Sequence, residues 1–370
     1  MNRLLIGLTG NIATGKSVVR RMLVNHGALG LDADVIAHRT LYPGGKAYQP
    51  VIKRFGADLL TPQNEISRAK LGKLVFPNPD RLKALEELIH PAVTADIEER
   101  IGQATLPMVV IEAIKLLETP LAGLCQSIWV SQASQAHQME RLLHARKMSK
   151  ALARERIKAQ TPQAEKLKQA DVVINTEGIF SQTWQQVRQA LNDTINSEGV
   201  LPTPHINIDQ NFIVHPAGAY SPEALEAFWT AHSGRKSGDL YEQLAFNAVQ
   251  VLTDQEQMVA LLISEDWNFT SSLKEVITGP EAQIPLDVLL KAFQAAAVER
   301  QSELLILSDQ IMAVWPADQP PKTAGYNHQT AQDFTFPAWR QAIQRQTGSE
   351  GQPIWVKRTK LASAELLKHL

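Results

Sequence analysis

The chain has 370 residues, of which 44% are hydrophobic and 20% are charged, and this is enough for two ordinary domains with apolar cores. No apolar run approaches the roughly 18 residues of a membrane span and no signal-peptide pattern precedes the first apolar run, which predicts a cytoplasmic protein without a membrane partner. The formal net charge is −1, but residues 1–200 carry six more basic than acidic side chains and residues 201–370 carry seven fewer, so the first part suits a polyphosphate ligand and the second argues against nucleic acid.

Short apolar runs separated by helical patterns predict a mostly parallel sheet in the first part of the chain. The runs are residues 4–8, 27–31, 108–111, 127–130 and 172–174. Such alternation favours βαβ units. Asp32, Asp34, Glu112 and Asn175 come at the ends of three of these runs. Because open α/β sheets bind ligands at the carboxyl ends of their strands, we expect these polar residues to converge on one site.

The first run leads into a phosphate-binding loop. Residues 10–17 read GNIATGKS and match the pattern G-x-x-x-x-G-K-[ST] between a strand and a helix. Backbone N–H groups of such a loop wrap the phosphates of ATP, Lys16 reaches the β- and γ-phosphates, and the Ser17 hydroxyl coordinates Mg²⁺. We assign nucleotide binding to the loop residues Asn11, Ile12, Ala13, Thr14, Gly15, Lys16, Ser17 and Val18.

Two further features could serve phosphoryl transfer. Asp34, after the second strand, is placed to accept a proton from a hydroxyl acceptor, although an aspartate before Val35 is equally compatible with a helix N-cap. Residues 138–168 hold nine basic and three acidic side chains. They predict a helical lid that closes over the polyphosphate, and the alternative is a solvated helix surface.

Two reactive residue types are interpreted as structural from the pattern alone. His90 and Pro91 are expected to end one helix and begin another, since proline is acceptable in a first helical turn. Cys125 is expected to be a buried small hydrophobe. No zinc-ligand spacing and no G-x-S-x-G pattern occurs in the sequence, so transition-metal chemistry and covalent catalysis lack support.

The pattern changes near residues 196–208, where turn formers and the prolines Pro202 and Pro204 predict a linker. We therefore predict a first domain over 1–195 and a second α/β domain over 209–370. The first helix expected in this second domain has Ser221 as its N-cap residue and Pro222 in its first turn. Its other expected elements are strands at 211–214, 258–263, 304–307 and 354–356, and a helix at 286–298.

The first 195 residues resemble dephospho-coenzyme A kinases. The resemblance rests on the order and spacing of several segments rather than on one motif. They are LTGNIATGKS at 8–17, DADVIA at 32–37, LIHP at 88–91, IEAIKLLE at 111–118, QMERL at 138–142, RIKAQ at 156–160 and ADVVIN at 170–175.

This resemblance implies a P-loop kinase with a core, a lid and a coenzyme-A-binding helical region. It would transfer the γ-phosphoryl group of ATP to the ribose 3′-hydroxyl of dephospho-CoA, its small-molecule partner. Lys16 and Ser17 would bind phosphate and Mg²⁺, and Asp34 would be the base. The lid would supply the catalytic cations, and three residues would bind the acceptor. The lid cations are Arg141 and Arg146, and the acceptor residues are Asp32, His90 and Glu112.

Some positions depart from the family pattern. Asn11 and Ala13 stand where the family has glycine, and alanine there would cost of order 1 kcal/mol if its φ must be positive. The usual Arg-Asp of the lid reads Arg146-Lys147. A kinase acting on another nucleoside or nucleotide, or a nucleotide-gated regulatory protein without turnover, are the alternatives. The oligomeric state stays open.

Residues 209–370 resemble a GCN5-related N-acetyltransferase in the order of their elements. That fold holds the acyl-CoA pyrophosphate on a turn after its fourth strand, which here would be residues 279–285. Pro280 and Pro285 lack N–H donors, so we expect an acyltransferase-like fold that has lost catalysis. We also expect this part to be dispensable for phosphoryl transfer.

Overall fold

The computed structural model describes residues 3–198, 204–279, 282, 284–308, 311–312, 321–334, 337–348 and 352–359. Their strands form two sheets, one of five strands and one of eight. No helix in these ranges is both long and apolar enough to span a bilayer.

The first sheet is parallel, as predicted, with strand order β2-β3-β1-β4-β5. Its strands are β1 Leu4–Thr9, β2 Ala28–Asp32, β3 Met108–Glu112, β4 Ser127–Gln132 and β5 Val172–Asn175. All five coincide with the predicted runs within one or two residues. The helices around it are α1 Lys16–Asn25, α2 Ala33–Thr40, α3 Tyr48–Phe55, α4 Arg68–Val75, α5 Pro79–Gln103, α6 Gln135–His144, α7 Lys150–Lys158, α8 Gln163–Leu167 and α9 Phe180–Glu198.

One helix boundary predicted from the sequence is wrong. α5 continues through His90 and Pro91 instead of ending there. Pro91 removes one backbone donor, so the carbonyl four residues earlier loses its helical partner. The helix nevertheless persists because Val93 and Ile97, beyond the proline, are buried in the same apolar cluster as the strands β2 and β3.

The second sheet has the order β12-β13-β11-β10-β9-β8-β7-β6 and is antiparallel except between β10 and β11. Its strands are β6 Ile206–Asn207, β7 Phe212–Pro216, β8 Ala248–Asp254, β9 Gln257–Trp267, β10 Thr270–Thr278, β11 Leu304–Leu307, β12 Asn327–Gln329 and β13 Ile354–Arg358. Its helices are α10 Pro222–Ser233, α11 Ser237–Phe246, α12 Leu286–Glu299 and α13 Pro337–Thr347. α12 is the crossover that joins the parallel pair.

The predicted second-part elements are present, including the Ser221 cap, whose hydroxyl accepts from the Ala224 N–H. The strands β8 and β10 and the helix α11 were not predicted. The predicted turn at residues 279–285, which was expected to lack N–H donors because of its prolines, includes Pro280, and Pro280 lies outside the described residues, as does the linker proline Pro202. Pro285 is the N-cap residue of α12.

The two sheets share a hydrophobic core although their strands separate cleanly along the sequence. One buried cluster joins α1 and α9 to α10, α11 and the strands β8 and β9. Trp184 of α9 and Trp229 of α10 both belong to it and are almost completely buried. The helix that follows the phosphate loop is therefore packed between the two parts of the chain.

Candidate active site

The phosphate loop connects β1 to α1 and leaves main-chain donors open to a ligand. Gly15 is the N-cap residue of α1, has a φ of 83°, and provides no side-chain cap. A Cβ at Gly15 would lie 2.9 Å from Thr176 Oγ1, so the turn requires glycine. Within the described residues, the N–H groups of Lys16 and Ser17 have no hydrogen-bond acceptor. The loop and the helix dipole together form an anion site.

Ala13 replaces a glycine of the family at a loop position where the backbone conformation is unfavourable for other residues. Its φ is 59°, in the left-handed region, whereas Asn11 does not have a positive φ. An L-residue held there costs about 1–2 kcal/mol. Only one of the two glycine replacements is therefore strained.

Ala13→Gly is expected to stabilise the protein by up to about 1 kcal/mol, because relief of strain exceeds the extra entropy of glycine in the unfolded chain. Thermal or denaturant unfolding measures it. Ala84→Gly, the same change inside the helix α5, should instead cost about 1 kcal/mol. Equal destabilisation by both variants would contradict strain at Ala13.

Lys16 and Ser17 are both held in place by neighbouring groups. Lys16 is 8% exposed and its Nζ donates to the carbonyls of Gly10 and Asn11, at 3.0 and 3.1 Å. Burial lowers the pKa of Lys16, against the opposing effect of Glu112. Ser17 Oγ donates to Glu112 Oε1 at 3.0 Å, which leaves the oxygen lone pairs of Ser17 available to a cation.

Glu112 is buried and pairs with Arg20, a residue that the sequence analysis did not single out. Arg20 Nε donates to Glu112 Oε2 at 2.6 Å, and Arg20 NH2 lies 3.7 Å from Asp32 Oδ2. Arg20 stands one helical turn after Lys16, so both side chains leave the same face of α1. Glu112 and Asp32 are brought together as predicted, through this guanidinium.

Asp32, not Asp34, caps the helix α2. Asp32 Oδ1 accepts from the N–H groups of Asp34 and Val35 at 3.0 and 3.1 Å. The pKa of Asp32 is raised to about 6, mainly by burial and in part by the negative charge of Glu112. The cap interpretation of Asp34 is wrong, because its carboxylate accepts no hydrogen bond from the described residues and is exposed.

Asp34 lines a cavity of about 290 Å³ between α2, α5 and the segment after β3. Its wall is mostly apolar, with His90 from α5 and Lys115 from the segment after β3 as further polar residues. Partial desolvation by the surrounding protein raises the pKa of Asp34 although its side chain still reaches solvent, while Lys16 opposes that rise. The cavity therefore places an exposed carboxylate between an apolar cleft and the lysine of the loop.

The predicted lid is helical and rests on the phosphate loop. Leu142 of α6 and Ala153 of α7 pack with Ile12 in a small buried cluster. Arg141 NH1 donates to the Ala13 carbonyl and to Thr176 Oγ1, each at 3.0 Å. Arg146, which follows α6, is exposed. The structure thus brings Arg141 to the loop, and the charge of Arg146 acts on Lys16 by lowering its pKa further.

Asn175 does not join this site. Its amide oxygen accepts from the Glu177 N–H, and it lies exposed on the edge strand β5. The next residue, Thr176, takes its place: Oγ1 donates to the Thr14 carbonyl at 2.8 Å. The expected convergence is wrong for Asn175 because its side chain bonds its own turn instead.

Other reactive groups stay apart from the site. Cys125 Sγ donates to the Leu121 carbonyl, and burial raises the pKa of its thiol to about 12, as suits a structural residue. Among the described residues, no group of three or more His, Cys, Asp or Glu side chains could hold a metal ion.

Known proteins match the part of the chain that carries this geometry. A family description, "Dephospho-CoA kinase", matches residues 4–182. The dephospho-CoA kinase of Carboxydothermus hydrogenoformans is 41% identical over 186 residues, which cover 50% of this chain and 90% of that protein. The dephospho-CoA kinase of Streptomyces avermitilis is 38% identical over 192 residues, covering 52% and 94%.

Two solved structures show a partial likeness to the chain. The dephospho-CoA kinase from Campylobacter jejuni is 24% identical, with a TM-score of 0.36, and covers 52% of this chain and 98% of its own. A GNAT family acetyltransferase from Elizabethkingia anophelis with acetyl-CoA bound is 14% identical, with a TM-score of 0.26, and covers 41% and 100%. The family assignment rests on the relatives found by sequence, because the matched part of this chain covers nine-tenths or more of the length of each. By its first half, the chain belongs to the dephospho-CoA kinase family.

Proposed function

We propose that this protein transfers the γ-phosphoryl group of ATP to the ribose 3′-hydroxyl of dephospho-CoA and releases CoA and ADP. The observation that carries the proposal is the position of Asp34. Its carboxylate lines the apolar cavity and interacts electrostatically with Lys16 of the phosphate loop. A proton acceptor therefore separates a nucleotide-sized cleft from a triphosphate site.

On the ATP side, the protein supplies positive charge and fixed donors. The open N–H groups at the start of α1 bind phosphate oxygens, and Lys16 can exchange its carbonyl partners for the β- and γ-phosphates. Arg141 and Arg146 of the lid add cations over the loop. These groups stabilise the charge that develops on the transferring group.

On the acceptor side, Asp34 orients the hydroxyl and receives its proton. The 3′-oxygen forms a bond to the γ-phosphorus, the bond from that phosphorus to the β–γ bridging oxygen breaks, and ADP leaves with its electron pair. Because partial desolvation raises the pKa of Asp34, the carboxylate is a better proton acceptor than an ordinary aspartate. His90 and Lys115 lie in the same cavity and can contact the acceptor.

The residues present fit a magnesium ion. Ser17 offers a hydroxyl oxygen beside the carboxylates of Glu112 and Asp32, and oxygen is the ligand type that Mg²⁺ prefers. Burial first, and then the charge of Glu112, raises the pKa of Asp32, and a bound cation would oppose that rise. When bound, the ion would neutralise charge on the ATP phosphates.

The test is a mass measurement on the purified chain with Mg·ATP and dephospho-CoA. We expect the acceptor to gain one phosphoryl group. A panel of other nucleosides and nucleotides runs in parallel, and phosphorylation of one of them in place of dephospho-CoA would overturn the acceptor assignment. ATP binding with no acceptor modified would favour the regulatory alternative. The cytoplasmic location stays a prediction from the sequence.

A further inference from the structure

Residues 160–166, which we call the strap, lie across the first half of the phosphate loop. Gln160 Oε1 accepts from the Ile12 N–H at 2.7 Å, and Gln163 Oε1 accepts from the Asn11 N–H at 3.0 Å. Asn11 Nδ2 donates to the Thr161 carbonyl at 3.0 Å. Asn11, which stands where the family has glycine, therefore links the loop to the strap through its backbone and its side chain. Together with the bond from Gln160, these contacts fix the position of the strap over the loop.

The strap ends at Lys166, a buried cation. Lys166 is 4% exposed, and its Nζ donates to the Ile114 carbonyl at 2.7 Å. No carboxylate among the described residues lies within ion-pair distance of Lys166 or of Lys16. The pKa of Lys166 is lowered to about 8, mainly by burial and in part by the charge of Lys16, while Glu118 acts in the opposite sense. Two buried ammonium groups thus repel each other without a direct counterion.

The contact with Ile114 places the Lys166 ammonium between the phosphate loop and the cavity that contains Asp34. The Ile114 carbonyl also accepts from Thr9 Oγ1, at the end of the strand that leads into the phosphate loop. Ile114 lines the cavity that contains Asp34. Lys166 therefore approaches the boundary between the phosphate loop and the acceptor cleft, which is the path of the transferring group.

We propose that Lys166 is a further catalytic residue that binds the γ-phosphoryl group of ATP during its transfer. This inference rests on the proposed function for the identity of the acceptor. The bonds that form and break are those of the phosphoryl transfer given above. Lys166 keeps its proton throughout and donates hydrogen bonds to the non-bridging oxygens of the moving group. A bound polyanion also removes the repulsion between Lys166 and Lys16.

Nucleotide affinity tests the proposal without any acceptor. We expect Lys166→Met to weaken Mg·ATP binding about tenfold or more, as for the loss of one charge-assisted hydrogen bond, and to change Mg·ADP binding less than about twofold. Calorimetry on the full chain measures both. Lys291→Met is the matched control, because Lys291 is exposed and forms its ion pair with Asp287 on the same helix, α12, outside the lid and the phosphate loop. It should leave both affinities unchanged.

Turnover gives the second measurement. We expect Lys166→Met to lower kcat by about 10² to 10³, and Lys166→Arg to recover part of that loss because it keeps the charge. Equal weakening of ATP and ADP binding, or a wild-type kcat in Lys166→Met, would overturn the proposal. If the wild-type protein does not phosphorylate dephospho-CoA, the proposed function fails, and the comparison of ATP with ADP still decides whether Lys166 meets the γ-phosphate.

Discussion

Asp34→Asn is expected to lower the turnover of dephospho-CoA by about 10² to 10⁴ and to leave ATP binding unchanged. Asparagine fills nearly the same volume but cannot accept the hydroxyl proton. Because the cap of α2 is Asp32, the substitution breaks no described hydrogen bond of the helix or of the loop. Steady-state kinetics and ATP calorimetry on the same preparation separate the two effects.

Asp80→Asn is the matched control, since Asp80 is also an exposed aspartate in the first turn of a helix. It should change neither quantity. Wild-type turnover in Asp34→Asn would mean that the carboxylate only stabilises the helix α2, through its favourable interaction with the positive end of the helix dipole. A loss smaller than tenfold would indicate that Asp34 positions the acceptor, since a loose transition state asks little of its base.

Sequence periodicity predicted the first sheet because its central strands are buried on both faces and read as continuous apolar runs. It missed β10, whose first residues are Thr270, Ser271 and Ser272. These polar side chains are buried. Ser271 Oγ forms hydrogen bonds with Asp266 Oδ1 and with Ser302 Oγ. A strand that buries small polar side chains in this way shows no apolar periodicity in the sequence.

The residues of the candidate site also fall into some that the sequence could predict and some that it could not. The phosphate loop could be predicted because adjacent N–H groups of one contiguous segment form it. Arg20, Gln160 and Lys166 could not, since each acts on a group about 50 to 150 residues away in the chain. Only the folded sheet brings these partners together. The position of Arg20 one turn after Lys16 is the local signal that could have indicated it.

The domain boundary predicted near residue 200 stays a prediction. The strands before and after it belong to different sheets, but buried side chains of both parts share one cluster. The first turn of α1 carries Lys16 and Ser17, and its last turns pack against helices and strands of the second part. Arg21 Nη1 donates to Asp266 Oδ2 at 2.8 Å across this junction. That residues 209–370 are dispensable for phosphoryl transfer stays a prediction, and the shared core argues against it.

Asn25→Ala is expected to destabilise the full chain by about 2–4 kcal/mol, because it leaves buried polar groups of the second part unpaired. Asn25 is completely buried at the end of α1. Its Nδ2 donates to the Leu244 and Asn247 carbonyls, both at 2.9 Å, and its Oδ1 accepts from the Val249 N–H at 2.7 Å. The pairing of β7 with β8 ends at Gln250, so Asn25 replaces the missing strand at the next residue.

Denaturant unfolding of the full chain measures this loss, and Asn192→Ala is its control. Asn192 is an exposed asparagine on α9, and its removal should change stability by less than about 0.5 kcal/mol. A cooperative unfolding transition that shifts as a whole in Asn25→Ala would mean that both parts unfold together. A shift confined to one of two transitions, or no shift, would mean that the kinase fold does not depend on this junction, and would restore the sequence-based expectation that the second part can be removed.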